Sequence, residues 1–292
     1  MELQQLQNFL IVAQEENITH AAEYLHISQP ALSRQIKALE NEFGKKLLTR
    51  ENKRVTLTPD GVLLRKRANE IIKLTAKTTA ELSASNDEIA GDILLGVSET
   101  DSIRYISERA KALISDNPKV TLKLKNGDNE SILNMVNNGL VDLGLYFGNV
   151  DQNIYQHISL HQINRFGMLM RRNNPLAKKA FLTPEDLLDQ PLILYQESLD
   201  NGLLYEWFHT RDLNIVGTFG MYLSAQKMVE SDLGIAMVFD NLVDYSNTDY
   251  ICVPLSPEIK TDVNLIWKKY QVFSKPTKLF LDSIIKTHSL YK

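Results

Sequence analysis

Residues Asn17 to Pro59 read NITHAAEYLHISQPALSRQIKALENEFGKKLLTRENKRVTLTP. Thr19 is positioned to cap a short helix through Ala21, Ala22, Tyr24 and Leu25, and the alanine pair is small enough for a second helix to cross closely. His26-Ile27 then makes a turn, with Ile27 directed at the core. Ser28 is the cap expected for the next helix, and Pro30 falls in its first turn, where no intrahelical N–H is required. Leu32, Ile36 and Leu39 recur at i, i+4, i+7 and predict one buried stripe. Gln29, Ser33 and Lys37 fall on the opposite face, with Arg34 beside them. Side chains of this kind suit base edges and phosphates. Gly44 stops the helix. Leu47–Arg50 and Arg54–Leu57 read as two short strands around the turn Glu51-Asn52-Lys53, a hairpin carrying Arg50, Lys53 and Arg54. Upstream, Leu6, Phe9, Leu10 and Ala13 mark a helix that would brace the other two. The pattern is a helix-turn-helix followed by a basic wing, suited to a DNA major groove and its flanking phosphates.

Charge supports this reading only when taken locally. The formal net charge of the 292-residue chain is -4, yet residues 34–77 hold 12 Lys and Arg against 5 Asp and Glu. Residues 91–292 hold 20 against 24. Salt screens charges beyond ~8–10 Å, so phosphates respond to the local excess. An apolar content of 43% with 23% charged residues is ordinary for a globular protein, and the length suggests about two domains. The single cysteine, Cys252, excludes an intrachain disulfide and fits a reducing compartment. In the string Tyr250-Ile251-Cys252-Val253 it reads as a buried structural thiol. The N-terminus has no basic and apolar leader pattern, and no apolar run approaches the ~18 residues of a membrane span, so a cytoplasmic location is expected.

Thr58-Pro59-Asp60 is a helix start: a cap, proline at the first helical position, and an acid at the positive end of the dipole. No Gly or Pro interrupts Val62 to Ala90, so one helix could run ~28–30 residues, about 45 Å. Leu64, Ala68, Ile71, Thr75, Thr78 and Leu82 form a weak heptad seam for pairing with a second copy; the alternative is packing on the chain's own C-terminal part.

The stretch HAAEYLHISQPALSRQIKALENEFGKKLLTR (20–50), followed by LTPDG (57–61), closely resembles the N-terminal signature of LysR-type transcriptional regulators. The likeness is collinear from about Leu3 to Gly61, with looser features beyond. It implies an N-terminal all-α winged helix-turn-helix with a long linker helix serving as a dimerisation element. The C-terminal part is then an α/β, two-lobed, periplasmic-binding-protein-like (type 2) effector domain. The expected boundaries are 1–58, 59–90 and 91–292, with lobe I at about 91–161 and 266–292 and lobe II at about 162–265. The implied partners are double-stranded DNA at a promoter or operator, a small-molecule effector, and a second copy in a homodimer or homotetramer. RNA polymerase joins them if the protein activates; neither a membrane nor a cofactor is expected.

The C-terminal pattern agrees with that architecture. Ile93–Val97, Val120–Leu124 and Val141–Leu145 read as strands, separated by helices at Ile103–Ser115 and Ser131–Asn138. This βαβαβ order predicts a mainly parallel sheet. A second series follows: Phe166–Met170, the helix Pro184–Leu188, Leu192–Tyr195, the helix Leu203–Arg211, Ile215–Phe219, the helix Ala225–Glu230 and Ile235–Val238. Val263–Trp267 returns to the first lobe, and the helix Pro276–Thr287 closes the chain.

Nothing in the sequence demands catalysis. Phosphate-binding glycine loops and HExxH are missing, and Gly96-Val97-Ser98-Glu99-Thr100 lacks the second glycine of a nucleophile elbow. An enzyme built on Ser98 is one rival reading and a solute-binding protein another; the fused DNA module argues against both. In open α/β sheets ligands bind beyond the carboxyl ends of strands, near helix N-termini. Ser98 and Thr100, Asp128 and Asn129, Phe147, and Gln196 and Ser198 with Asn201 all occupy such places. The resemblance implies effector contact at Ser98, Thr100 and Asn129. The bland alternative for each is a helix cap or turn without ligand contact. Asn129 stands where the family commonly has Ser or Thr, and Phe239 where it often has Pro. Glu99 and Asp128 add negative charge, so a neutral or zwitterionic ligand is expected more readily than a dianion.

Overall fold

The structure is a computed structural model that describes residues 1–51, 54–83, 89–200, 203–210 and 212–289. The chain divides into two compact units, Met1–Asn86 and Asp87–Lys292.

In the first unit α1 (Leu3–Glu15), α2 (Ile18–Tyr24) and α3 (Gln29–Phe43) enclose a core of Phe9, Val12, Ala21, Ala22, Leu32, Ile36 and Leu39. Fully burying leucines such as Leu32 and Leu39 contributes roughly 1.5–3 kcal/mol each. Asn17, rather than Thr19, caps α2: its Oδ1 accepts from the N–H groups of Thr19 at 2.8 Å and His20 at 3.3 Å. The helix starts earlier than expected because Ile18 is drawn into the core. Ser28 caps α3 through the N–H of Ala31, with Pro30 in the first turn, and Gly44 ends it in the left-handed region at φ 61°. Strands β1 (Leu48–Glu51) and β2 (Arg54–Leu57) pair antiparallel, with Arg50 opposite Val55.

The wing hangs on a residue whose role the pattern did not reveal. Glu40 is 8% exposed. Its Oε1 accepts from the N–H groups of Leu47 at 3.0 Å and Leu48 at 3.4 Å, and its Oε2 receives Lys46 Nζ at 3.0 Å. Burial pushes this carboxyl up, but the hydrogen bonds and charge of Lys46 and the two amides together hold it below its ordinary value.

Helix α4 (Pro59–Ser83) starts at the expected cap, with Thr58 Oγ1 accepting from Gly61 N–H at 3.0 Å and donating to Lys46 O at 2.6 Å. The expected seam is split. Leu64 packs on the core of its own unit and Ala68 is fully buried, whereas Ile71, Thr75 and Thr78 further along the same seam are exposed, as are Leu63 and Leu74; the side chain of Leu82 lies outside the described residues. Helical spacing placed Leu64 and Ala68 correctly on one stripe, but that stripe serves the first unit itself.

The second unit contains β3 (Gly91–Val97), α5 (Ser102–Asp116), β4 (Val120–Asn126), α6 (Asn129–Asn137) and β5 (Leu143–Phe147), a βαβαβ series. Next come β6 (Tyr155–Arg171), a 3-10 turn at Pro175–Lys178, α7 (Pro184–Leu187), β7 (Leu192–Tyr195), α8 (Gln196–Asp200) and α9 (Leu203–Phe208). The chain continues through β8 (Ile215–Phe219), α10 (Tyr222–Glu230), β9 (Ile235–Phe239), β10 (Tyr250–Pro254), β11 (Lys260–Lys268) and α11 (Lys275–Ser289). The sheet order is β4-β3-β5-β11-β6-β9-β7-β8, with β10 also on β6. β6 is therefore the seam between lobes: its first part pairs with β11, and Phe166–Leu169 pairs with β9. β11 joins β5 from Val263 onward.

The sequence pattern found only the end of β6, because a register shift between Asp262 and Asn264 on β11 interrupts the alternation of its first part. β5 begins two residues later than expected. Asp142, just before it, is buried and accepts from Leu94 N–H at 3.2 Å and Thr277 Oγ1 at 3.1 Å, tying β3 to α11. β10 and α8 were not foreseen. On β10, burial and the charge of Asp240 push the Cys252 thiol up to about 12, in keeping with an inert structural thiol.

Candidate functional site

On α3, Gln29, Pro30, Arg34 and Lys37 are exposed and Ser33 is half-buried, while Leu32, Ile36 and Leu39 face inward. Gln29 Nε2 donates to Ser33 Oγ at 2.9 Å, one turn along, and Arg34 Nε lies 3.4 Å from Pro30 O. Both long side chains therefore lie along their own helix. In the wing, Arg54 Nε donates to Glu16 Oε2 at 2.8 Å, and Val55 N–H donates to Glu16 O at 2.8 Å. The Glu16 link fixes the wing against the end of α1 and takes up part of Arg54's charge. The backbone of Arg50 lies in β1; its side chain and Lys53 lie outside the described residues.

In the second unit a cavity of about 210 Å³ opens at strand ends, lined by Ser98, Glu99, Asp128, Tyr195, Gln196 and Glu197 with neighbouring backbone. A smaller apolar recess adjoins it through Ser98, Glu99 and Tyr195, walled by Phe166, Phe219, Tyr222 and Phe239. The expected residues divide among three roles. Ser98, Asp128 and Gln196 line the cavity.

Asn129 and Phe147 frame it: Asn129 Nδ2 donates to Phe147 O at 3.0 Å, and Phe147 N–H donates to Asn129 Oδ1 at 3.0 Å. An amide can make both bonds at once, which a Ser or Thr hydroxyl lacks the span to do, and this explains the residue type here. The ring of Phe147 meets Phe239 edge-on at 5.5 Å, and Phe239 also packs on Phe166 at 4.7 Å. The residue standing at the common proline position thus closes the apolar end.

Thr100 and Ser198 are buried and line neither space. The Thr100 hydroxyl donates to Asn164 Oδ1 at 3.0 Å and accepts from Ser102 N–H at 3.2 Å. Thr100→Val should therefore strand these groups and cost about 1–3 kcal/mol of stability. Thermal unfolding of the variant at an unchanged midpoint would contradict this role.

The charges are arranged across the lobes. Asp128 caps α6, and the hydroxyl and N–H of Ser131 hold its carboxyl below the usual range. Glu197, in lobe II, accepts from Asn129 N–H at the start of α6 in lobe I at 3.3 Å. Glu99, in lobe I, accepts from Tyr222 N–H at the start of α10 in lobe II. Tyr195 lies among the three carboxylates. Burial pushes its phenol up, a hydrogen bond to Ser98 opposes this, and the charges of Glu197, Asp128 and Glu99 push it further up.

The family profile "Bacterial regulatory helix-turn-helix protein, lysR family" matches residues 3–62, and "LysR substrate binding domain" matches residues 86–288. This chain belongs to the LysR family. It is 33% identical over 292 residues to the HTH-type transcriptional regulator BsdA of Bacillus subtilis, covering 97% of this chain and 99% of that protein. Identity to a probable RuBisCO transcriptional regulator of Phaeodactylum tricornutum is 27% over 245 residues, covering 81% and 80%. The LysR regulator CbnR has the same fold, with a TM-score of 0.77 at 18% identity over 98% of this chain and 99% of its own. CbnR complexed with its target DNA gives 0.76 at 18% identity, covering 98% and 100%. The chain is a LysR-type transcriptional regulator with a DNA-binding helix-turn-helix and an effector-binding domain.

Several cleft residues of this LysR protein escaped the sequence reading. Gly220, Met221 and Tyr222 follow β8 as Ser98 follows β3, but the expected start of α10 at Ala225 was three residues late. Had its start been placed at Tyr222, the strand-end rule would have found them. Glu197 sits between two residues that were singled out, and nothing local distinguishes it from a solvated glutamate.

Proposed function

We propose that this LysR-type regulator reads an operator through Gln29, Pro30, Ser33, Arg34 and Lys37, with Arg50, Lys53 and Arg54 on flanking phosphates. The observation that carries this is the polar exposed face of a capped, proline-started helix whose other face is the domain core. Arg34→Ala is expected to weaken specific binding by roughly 1–3 kcal/mol, the range for a side chain reaching a base edge. Fluorescence anisotropy on operator and random duplexes at fixed salt provides the test; an unchanged operator affinity sinks the base-contact role.

A small-molecule effector binds the cleft between the lobes, with Ser98, Asp128 and Gln196 at the ligand, Asn129 and Phe147 framing it, and Thr100 and Ser198 supporting the frame. An effector alters DNA affinity only if it binds two arrangements of the protein unequally. Self-association as a homodimer or homotetramer uses the exposed stripe Leu63, Ile71 and Leu74 of α4. Leu63→Asp with Leu74→Asp places charges in that contact and leaves Leu64 and Ala68 untouched. Light scattering should then report the monomer mass, and an unaltered oligomer would reject the stripe. The protein works in the cytoplasm without catalysis, and contacts RNA polymerase if it activates.

A further inference from the structure

We propose that the cleft selects a ligand that binds through a cationic nitrogen, an ammonium or amidinium group, and turns away free carboxylates. The proposal rests on the reading of the cleft as the effector site and specifies its chemistry. Helix N-termini at the ends of strands are the places where an open α/β sheet offers N–H groups to an anion. Here the chain supplies the anions itself, and does so reciprocally. Glu99 of lobe I engages the first N–H of α10 in lobe II, and Glu197 of lobe II engages the first N–H of α6 in lobe I. Both carboxylates line the 210 Å³ cavity, with Asp128 as a third. Among the described residues, no Lys, Arg or His lines the cavity or its apolar recess.

The charge balance then has a definite sign. Two helix ends together offset roughly one unit of negative charge, whereas Glu99 and Asp128 alone bring two. A carboxylate ligand would have to displace a glutamate from a helix end and remain beside the others. A cation needs no displacement. A carboxylate has about four lone-pair sites. The Tyr222 N–H occupies one on Glu99, so the same group can accept from an ammonium while keeping its helix contact. The ring of Tyr195 adds a face on which a cation is attracted, and the recess behind it takes an apolar stem.

The test uses the full-length chain and size-matched probes: butylamine, putrescine and butylamidine against butyrate, succinate and butanol, at one ionic strength. Thermal unfolding and calorimetry should show stabilisation by at least one amine or amidine and none by the carboxylates. Glu99→Gln and Glu197→Gln keep an acceptor for the helix N–H while removing charge. Each should weaken that probe about tenfold, as expected for loss of a charge-assisted bond. Stabilisation of the wild type by butyrate or succinate overturns the proposal. So does a wild type that no cationic probe stabilises, or a cationic probe whose affinity ignores both substitutions. The probe panel on the wild type decides the matter even if a variant misfolds. Operator binding measured beside it separates the two readings. A cation that binds without changing operator affinity keeps the ligand class and removes the regulatory role. A carboxylate that binds and changes operator affinity keeps the role and overturns the ligand class.

Discussion

Glu40→Ala is expected to lower the stability of the DNA-binding unit by about 2–5 kcal/mol, since each buried amide left without an acceptor costs about 1–3 kcal/mol. The two amides are those of Leu47 and Leu48, which lead into the wing, and both bond the same oxygen of Glu40. For a unit of this size the unfolding midpoint should fall roughly 4–8 °C per kcal/mol. Glu40→Gln keeps one acceptor oxygen but loses the charge facing Lys46, so its midpoint should lie between those of wild type and Glu40→Ala. Acid has the same target. The Glu40 carboxyl is held below its ordinary value in the fold, so the unfolded chain binds more protons there. Stability drawn from Glu40 is complete above its unfolded value and is lost as pH falls through the lower, folded value. Differential scanning calorimetry across this window, with the Gln variant as reference, should show the wild type losing its advantage as pH drops. Equal midpoints for wild type and Glu40→Ala at neutral pH would show that the two amides find other partners.

Legibility followed local pattern. Ser28, Pro30 and the Leu32–Ile36–Leu39 stripe announced α3 because capping and 3.6-residue periodicity are properties of a few neighbouring residues. The strands Leu192–Tyr195 and Ile215–Phe219 were equally plain, being short apolar or alternating runs between turn residues. What depended on distant partners was hidden. Leu64 and Ile71 share a heptad pattern, but only the position of α1 decides that Leu64 is internal. Thr100 and Ser98 both follow β3; Asn164, 64 positions away from Thr100 in sequence, turns one of them inward. Glu197 looks like a surface charge, and Glu99 like a charge beside the cleft, until the two lobes place each at the other's helix end. Strand ends therefore predicted where the cleft lies, and only tertiary pairing assigned its side chains.

Gly61→Ala is expected to be at least as damaging as Glu40→Ala, for a steric reason the LTPDG motif conceals. A Cβ on Gly61 would stand 2.0 Å from Leu47 O, 3.0 Å from Leu47 C and 3.1 Å from Leu57 Cδ2. Two of these atoms are backbone, so no side-chain rotation relieves the contact. Leu47 O is also the acceptor for Thr58 N–H at 3.0 Å, and Leu47 N–H is one of the groups held by Glu40. Movement of Leu47 away from α4 therefore breaks the helix start on one side and strains the wing on the other. Overpacking in a site that yields costs about 1–3 kcal/mol, and a pinned backbone carbonyl places this case at about 3 kcal/mol or more. Operator affinity should fall with stability, because the wing and α3 are joined through Leu47 and Glu40. Helix propensity pulls the other way by up to about 1 kcal/mol, since alanine is the better helix former. A variant that melts above the wild type would show that propensity wins and that α4 can shift away from Leu47. A variant that melts lower but binds operator normally at low temperature would confine the damage to stability and separate the helix start from DNA reading.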